Sequence, residues 1–128
     1  MLYKKFDIQK FGQSFRRALD GVVYLLINEQ NARVQTVLTI LVGISAYVFQ
    51  VTRLEAAILF MAVILVFAIE IINTAIEKIF DVLHPGDHDV IRGIKDAMAG
   101  AVLISSVIAF VVAALIFLPY IKRFMVSY

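Results

Sequence analysis

The sequence predicts an all-α membrane protein: three transmembrane helices behind an N-terminal amphipathic helix that lies at the interface. Three observations predict it. Hydrophobic residues fill 62% of the 128 positions and charged residues only 17%, where a soluble domain carries about 45–50% and 25%. Mean hydropathy is +0.90. The charges are also spaced so that residues 34–52 and 97–121 contain none, stretches of 19 and 25 residues, when a bilayer crossing needs about 20. This excludes an ordinary soluble domain, and the length fits one domain, residues 1–128, with no second. Twelve Lys+Arg against ten Asp+Glu give +2, too little for the basic stripe that nucleic acid requires, so no nucleic-acid partner is expected. With no Cys there is no disulfide, thiolate metal site or cysteine nucleophile.

Taken in chain order, Phe11, Phe15, Leu19, Val22 and Leu26 recur at helical spacing, while Lys10, Arg16, Arg17 and Asp20 fall mainly elsewhere. That pattern predicts an interfacial helix over about residues 8–30. A short helix packed on the bundle is the plainer form of the same reading. Residues 1–33 mix apolar and charged groups without a continuous apolar run, so no cleaved signal is expected. The first span, 34–52, reaches roughly 28 Å as helix, close to the hydrocarbon thickness. The second, 56–80, reaches roughly 37 Å and should overshoot on one side. His84-Pro85-Gly86-Asp87-His88-Asp89 is a turn signal, and 97–121 is the third span. Nine Lys and Arg flank one side (Lys4, Lys5, Lys10, Arg16, Arg17, Arg33, Lys78, Arg92, Lys95) and three the other (Arg53, Lys122, Arg123). The positive-inside rule then puts the N-terminus and the 81–95 loop in the cytoplasm.

The second span is apolar except for Glu70, Asn73, Glu77 and Lys78. At 100° per residue, Glu70, Asn73, Glu77 and Asp81 fall within an arc of about 80°, a polar stripe on one face. Measured from Glu55, Glu70 lies roughly 22 Å along the helix. A charged residue at depth costs about 2.5–3.5 kcal/mol on insertion scales, so an acid there faces a cavity, a partner or a reaction. The bland alternative is that the stripe only joins helices through hydrogen bonds. It suits Asn73 better than the two glutamates, because adjacent carboxylates repel unless a cation or a proton sits between them.

Further charges are expected at the same membrane level. Asn28-Glu29 precedes the first span, with Arg33 at i+4 as the local ion-pair partner, and Lys95-Asp96 precedes the third, where an interfacial anchor pair is the plain reading. Together Glu29, Glu77, Asp81, Lys95 and Asp96 supply acids for Mg²⁺ and a lysine for phosphate charge, which is what phosphoryl transfer uses. No Walker motif is present, so a nucleotide site would be unconventional. His84 and His88 are separated by Pro85-Gly86, which argues against a helical metal pair and for loop histidines.

Ile27-Asn28-Glu29, the run Glu70-Ile71-Ile72-Asn73-Thr74-Ala75-Ile76-Glu77, Asp81, and Ile94-Lys95-Asp96 followed by Ala99-Gly100-Ala101-Val102-Leu103 together resemble the small prokaryotic diacylglycerol kinase family, which includes undecaprenol kinases. The resemblance implies a homotrimeric, multi-pass enzyme of the bacterial cytoplasmic (inner) membrane that moves the ATP γ-phosphoryl group to a lipid alcohol. By the same resemblance Glu70 is the general base with Asn73 in support, Glu29 and Glu77 hold Mg²⁺ and thereby ATP, and Lys95 and Asp96 contact the nucleotide. Gly86, Asp87 and His88 match the loop that reaches ATP, Lys10 and Arg17 match surface-helix contacts, and Glu70 with Ala99 faces the lipid substrate. Gln35 stands where the family often has a further acid, and Arg17 where it has a tyrosine. The segment from Lys95 to Leu103 is more similar to the Gram-positive branch, which favours undecaprenol over diacylglycerol.

Two other classes compete. A small proton- or cation-coupled transporter would use Glu70 and could dispense with Glu29 and Lys95-Asp96. A non-catalytic oligomeric scaffold would use the stripe only to fix helix register.

Overall fold

In the computed structural model, which describes residues 7–126, the chain is four helices: α1 (Ile8–Asn28), α2 (Gln30–Val48), α3 (Arg53–Leu83) and α4 (Asp89–Val126). There is no strand among the described residues. The helices α2, α3 and α4 are each long and apolar enough to cross a membrane.

Local chemistry explains the boundaries. Asp7 caps α1 by accepting from the backbone N–H groups of Gln9 and Lys10 at 3.0 and 3.2 Å. Glu29 adopts an extended backbone (φ −109°, ψ 122°) and separates α1 from α2 by a single residue. Its N–H closes α1 on Leu25 O at 2.8 Å, while its carbonyl accepts from Arg33 N at 3.3 Å to open α2. The far end of α2 closes with Gln50 at φ 52°, a left-handed position usually given to Gly. Val51 N–H reaches back to Ala46 O and Gln50 N–H to Tyr47 O, each at 3.2 Å, so the last carbonyls are satisfied. Thr52 and Glu55 then form a reciprocal capping box that starts α3.

The helix ends differ from the expected spans for reasons of length. As helix, α3 with its 31 residues extends roughly 46 Å and α4 with its 38 roughly 57 Å, both well beyond a hydrocarbon core of about 30 Å. The α4 helix begins at Asp89, eight residues before the expected span, and runs through Pro119 to Val126. Proline removes only one backbone donor, and apolar turns on both sides keep the rest of the ladder intact.

The main packed pair is α3 with α4, α2 lies against α3, and α1 against α2. The buried positions of α3, Leu59, Val66, Glu70 and Thr74, follow one helical face that is apolar toward the Thr52 end and polar further on. Ala32 of α2 is wholly buried. Ser105 and Ser106 donate to Val102 O and Thr36 to Ala32 O, all at 2.8 Å, which satisfies hydroxyls within their own helices. At the Thr52 end of α3, Phe49 packs on Phe117 and Tyr120 with ring centroids 5.9 and 6.3 Å apart, and Tyr120 OH donates to Glu55 Oε2 at 2.6 Å. Most large apolar side chains face outward, among them Phe110, Leu115 and Phe60 on the spans and Ile8, Phe11 and Phe15 on α1. Such a surface is stable only against lipid or other apolar chains.

Candidate active site

Glu70 is 3% exposed. Its Oε2 has no hydrogen-bond partner among the described residues, and the Asn31 side chain of α2 lies against the carboxylate. Glu29 and Glu77 are close enough for their charges to act on it, so three carboxylates from the α1–α2 junction and α3 share one neighbourhood. The expected pairing of Glu29 with Arg33 does not form. Instead Glu29 Oε1 stands 3.1 Å from Lys78 Nζ of α3, because the extended backbone at Glu29 aims its side chain across to α3 rather than along α2. The lysine end of this ion pair is half-exposed and the Glu29 side chain largely covered.

One turn further on, Lys95 of α4 donates to Asp81 Oδ1 of α3 at 2.8 Å, and Glu77 acts on Lys95 electrostatically. Lys95, Asp81 and Asp96 line a polar cleft of about 670 Å³ between the end of α3 and the start of α4. The 84–88 loop closes it: His84, Pro85, Gly86, Asp87 and His88 all line it, together with Phe80, Ile91 and Arg92. The rings of His84 and His88 lie 6.1 Å apart. On the other side of Glu70, an apolar groove of about 170 Å³ runs between α2, α3 and α4, lined by Leu38, Val42, Leu59, Val66, Ala109 and Phe110 with Gln35 at its polar edge. Gln35 Oε1 is buried and has no hydrogen-bond partner among the described residues.

The structure therefore brings Glu29, Glu70 and Glu77 together, and joins Gly86, Asp87, His88, Lys95 and Asp96 around one cleft. Asn73 is half-buried on α3, and Ala99 is exposed on α4. Lys10 and Arg17 are exposed on α1 and do not line the cleft; Lys10 Nζ lies 3.8 Å from Asp7. Sequence reasoning missed Asn31, Lys78 and Arg92 as parts of this region. Asn31 carried one usable signal, a polar residue in the turn that opens a span. Among the described residues no group of three His, Asp or Glu could cage an ion. Two carboxylates in one neighbourhood, Glu29 and Glu77, do suit Mg²⁺, which is commonly held by one or two carboxylates plus substrate phosphates.

Along α3 the buried carboxylate of Glu70 falls between the residues that line the apolar groove and those that line the polar, charged cleft. Residues 16–117 match the family Prokaryotic diacylglycerol kinase, and the chain belongs to that family of lipid kinases. It is 31% identical over 113 residues to the undecaprenol kinase of Bacillus subtilis, covering 88% of this chain and 92% of that protein. To the diacylglycerol kinase of a Synechocystis species it is 32% identical over 114 residues, again 88% of this chain but 65% of that longer protein. Family membership sets aside the transporter and scaffold readings.

Proposed function

We propose that the chain transfers the γ-phosphoryl group of ATP to the hydroxyl of a membrane lipid alcohol, undecaprenol in preference to diacylglycerol, with Mg²⁺ and with Glu70 as general base. The observation that carries this reading is Glu70 itself, a carboxylate 3% exposed with an unpartnered oxygen inside an apolar helix. An acid held there at such cost is available to take a proton.

The lipid lies in the apolar region near Glu70 and Ala99, with its hydroxyl at the Glu70 carboxylate. Glu70 accepts the hydroxyl proton as the lipid oxygen bonds to the γ-phosphorus; the bond from that phosphorus to the β,γ-bridging oxygen breaks, and ADP leaves. Asn31 and Asn73 orient the carboxylates around this point. Lys95, held by Asp81, offers its positive charge to the phosphates, and Asp96 contacts the nucleotide. Gly86, Asp87 and His88 shape the nucleotide side of the cleft, which Lys10 and Arg17 approach from the surface helix. Glu29 and Glu77 would hold Mg²⁺, which neutralises phosphate charge when bound. The Lys and Arg asymmetry favours a cytoplasmic N-terminus in the bacterial inner membrane. The outward apolar faces of the spans suit assembly into a homotrimer.

The test is purified protein in lipid vesicles given labelled ATP, Mg²⁺ and either undecaprenol or diacylglycerol. Glu70→Gln keeps shape and removes basicity, so turnover should fall by about 10²–10⁴ while the KM for ATP stays near wild type. No phosphorylated product from either lipid, or wild-type turnover in Glu70→Gln, overturns the reading.

A further inference from the structure

Among the described residues two Lys or Arg side chains line the α3–α4 cleft, Lys95 and Arg92, and the chemistry above uses only the first. Arg92 precedes Lys95 by three residues on α4, so the two share a helix face with their Cβ atoms about 5–6 Å apart. Arg92 is the outer of the pair, one turn closer to the loop.

Its present contacts are ones it can exchange. The guanidinium stands 3.0 Å from Asp87 Oδ1 and 3.6 Å from Asp89 Oδ1. Those carboxylates are 92% and 97% exposed and Arg92 is 56% exposed. Pairs this open to water contribute little, and salt screens them further. Two single-oxygen contacts also leave most of the five guanidinium N–H donors unused. Lys95, in contrast, is two-thirds covered and hydrogen-bonded to Asp81. Arg92 is thus held at the cleft by acids that bind it weakly, and a guanidinium prefers the paired oxygens of a phosphate.

We propose that Arg92 is a polyphosphate-binding residue of this site, gripping the nucleotide phosphates one helical turn outward of Lys95 and released to them by Asp87 and Asp89. The inference rests on the kinase reading and adds to it a residue which that reading does not need. A purely structural role, stapling the 84–88 loop to α4, is the competing account, and it predicts different numbers.

The experiment uses the full chain in lipid vesicles with ATP and Mg²⁺, comparing wild type, Arg92→Ala, Arg92→Lys and a charge control, Lys122→Ala, at the opposite end of α4. Arg92→Ala should raise the KM for ATP about tenfold, the scale of one charge-assisted contact, with kcat within about twofold of wild type. Arg92→Lys should lie between, and Lys122→Ala should match wild type. Inorganic tripolyphosphate, added as a competitor, should weaken in parallel with ATP in Arg92→Ala, whereas inhibition by adenosine should not change. An unchanged KM in Arg92→Ala, a fall in kcat alone, or equal weakening of adenosine overturns the inference while leaving the kinase reading in place. Wild-type protein that phosphorylates neither lipid overturns both.

Discussion

Lys95 of α4 donates to Asp81 of α3 at 2.8 Å, joining the two helices at the mouth of the cleft that both residues line. The contact makes Asp81 the group that sets where the lysine's charge sits. Asp81→Asn should therefore lower phosphoryl transfer to the lipid substrate, by about tenfold, and Lys95→Ala should lower it further. In the double variant the loss should equal that of Lys95→Ala alone, since residues acting through one contact are not additive. Initial rates with labelled ATP check this, and additive losses would show that Asp81 acts independently.

Lys78 competes with any cation for Glu29, because its Nζ lies 3.1 Å from Glu29 Oε1. Removing it in Lys78→Ala leaves Glu29 and Glu77 more negative together. The half-saturating Mg²⁺ concentration should fall roughly two- to fivefold, the range set by a half-exposed ion pair. A Mg²⁺ titration of activity measures it, and a rise would mean that Lys78 organises the carboxylates instead of screening them.

Ala32 is wholly buried on α2, beside Asn31, which lies against Glu70. Ala32→Leu should force the helices apart at a cost of about 1–3 kcal/mol and reduce turnover by displacing Asn31. Ala32→Gly adds no bulk and should lose activity far less. Thermal unfolding in detergent and kcat, measured on the same samples, decide it.

Tyr120 ties the last turns of α4 to the start of α3 through Glu55 Oε2 at 2.6 Å, roughly 22 Å along α3 from Glu70. Tyr120→Phe keeps the ring contact with Phe49 and removes only the hydroxyl. The unfolding temperature should drop by a few degrees with kcat unchanged. A large loss of turnover would show that this contact is coupled to the site around Glu70.

Much of this protein was legible before any packing was known. The uncharged stretches located the spans, the spacing of Phe11, Phe15 and Leu19 located α1, and the Pro85-Gly86 turn located the loop between α3 and α4. The family motif was legible as well, since Glu70, Asn73 and Glu77 recur at helical intervals within an apolar run. Less legible was the choice of ionic partners. The i+4 rule assigned Arg33 to Glu29, yet a one-residue break in the helix directed Glu29 to Lys78. The third span was expected at 97–121, whereas α4 runs from Asp89 to Val126.

By itself, then, the sequence determined what each helix is and which face carries its scarce charges, because those properties depend on spacing along one chain and on the cost of placing charge in hydrocarbon. Only the tertiary structure decided which charge meets which. Glu29 with Lys78, Asp81 with Lys95, and Asn31 with Glu70 are contacts between different helices. Their distances follow from how α2 and α4 pack on α3, a relation that no periodicity within a single helix contains.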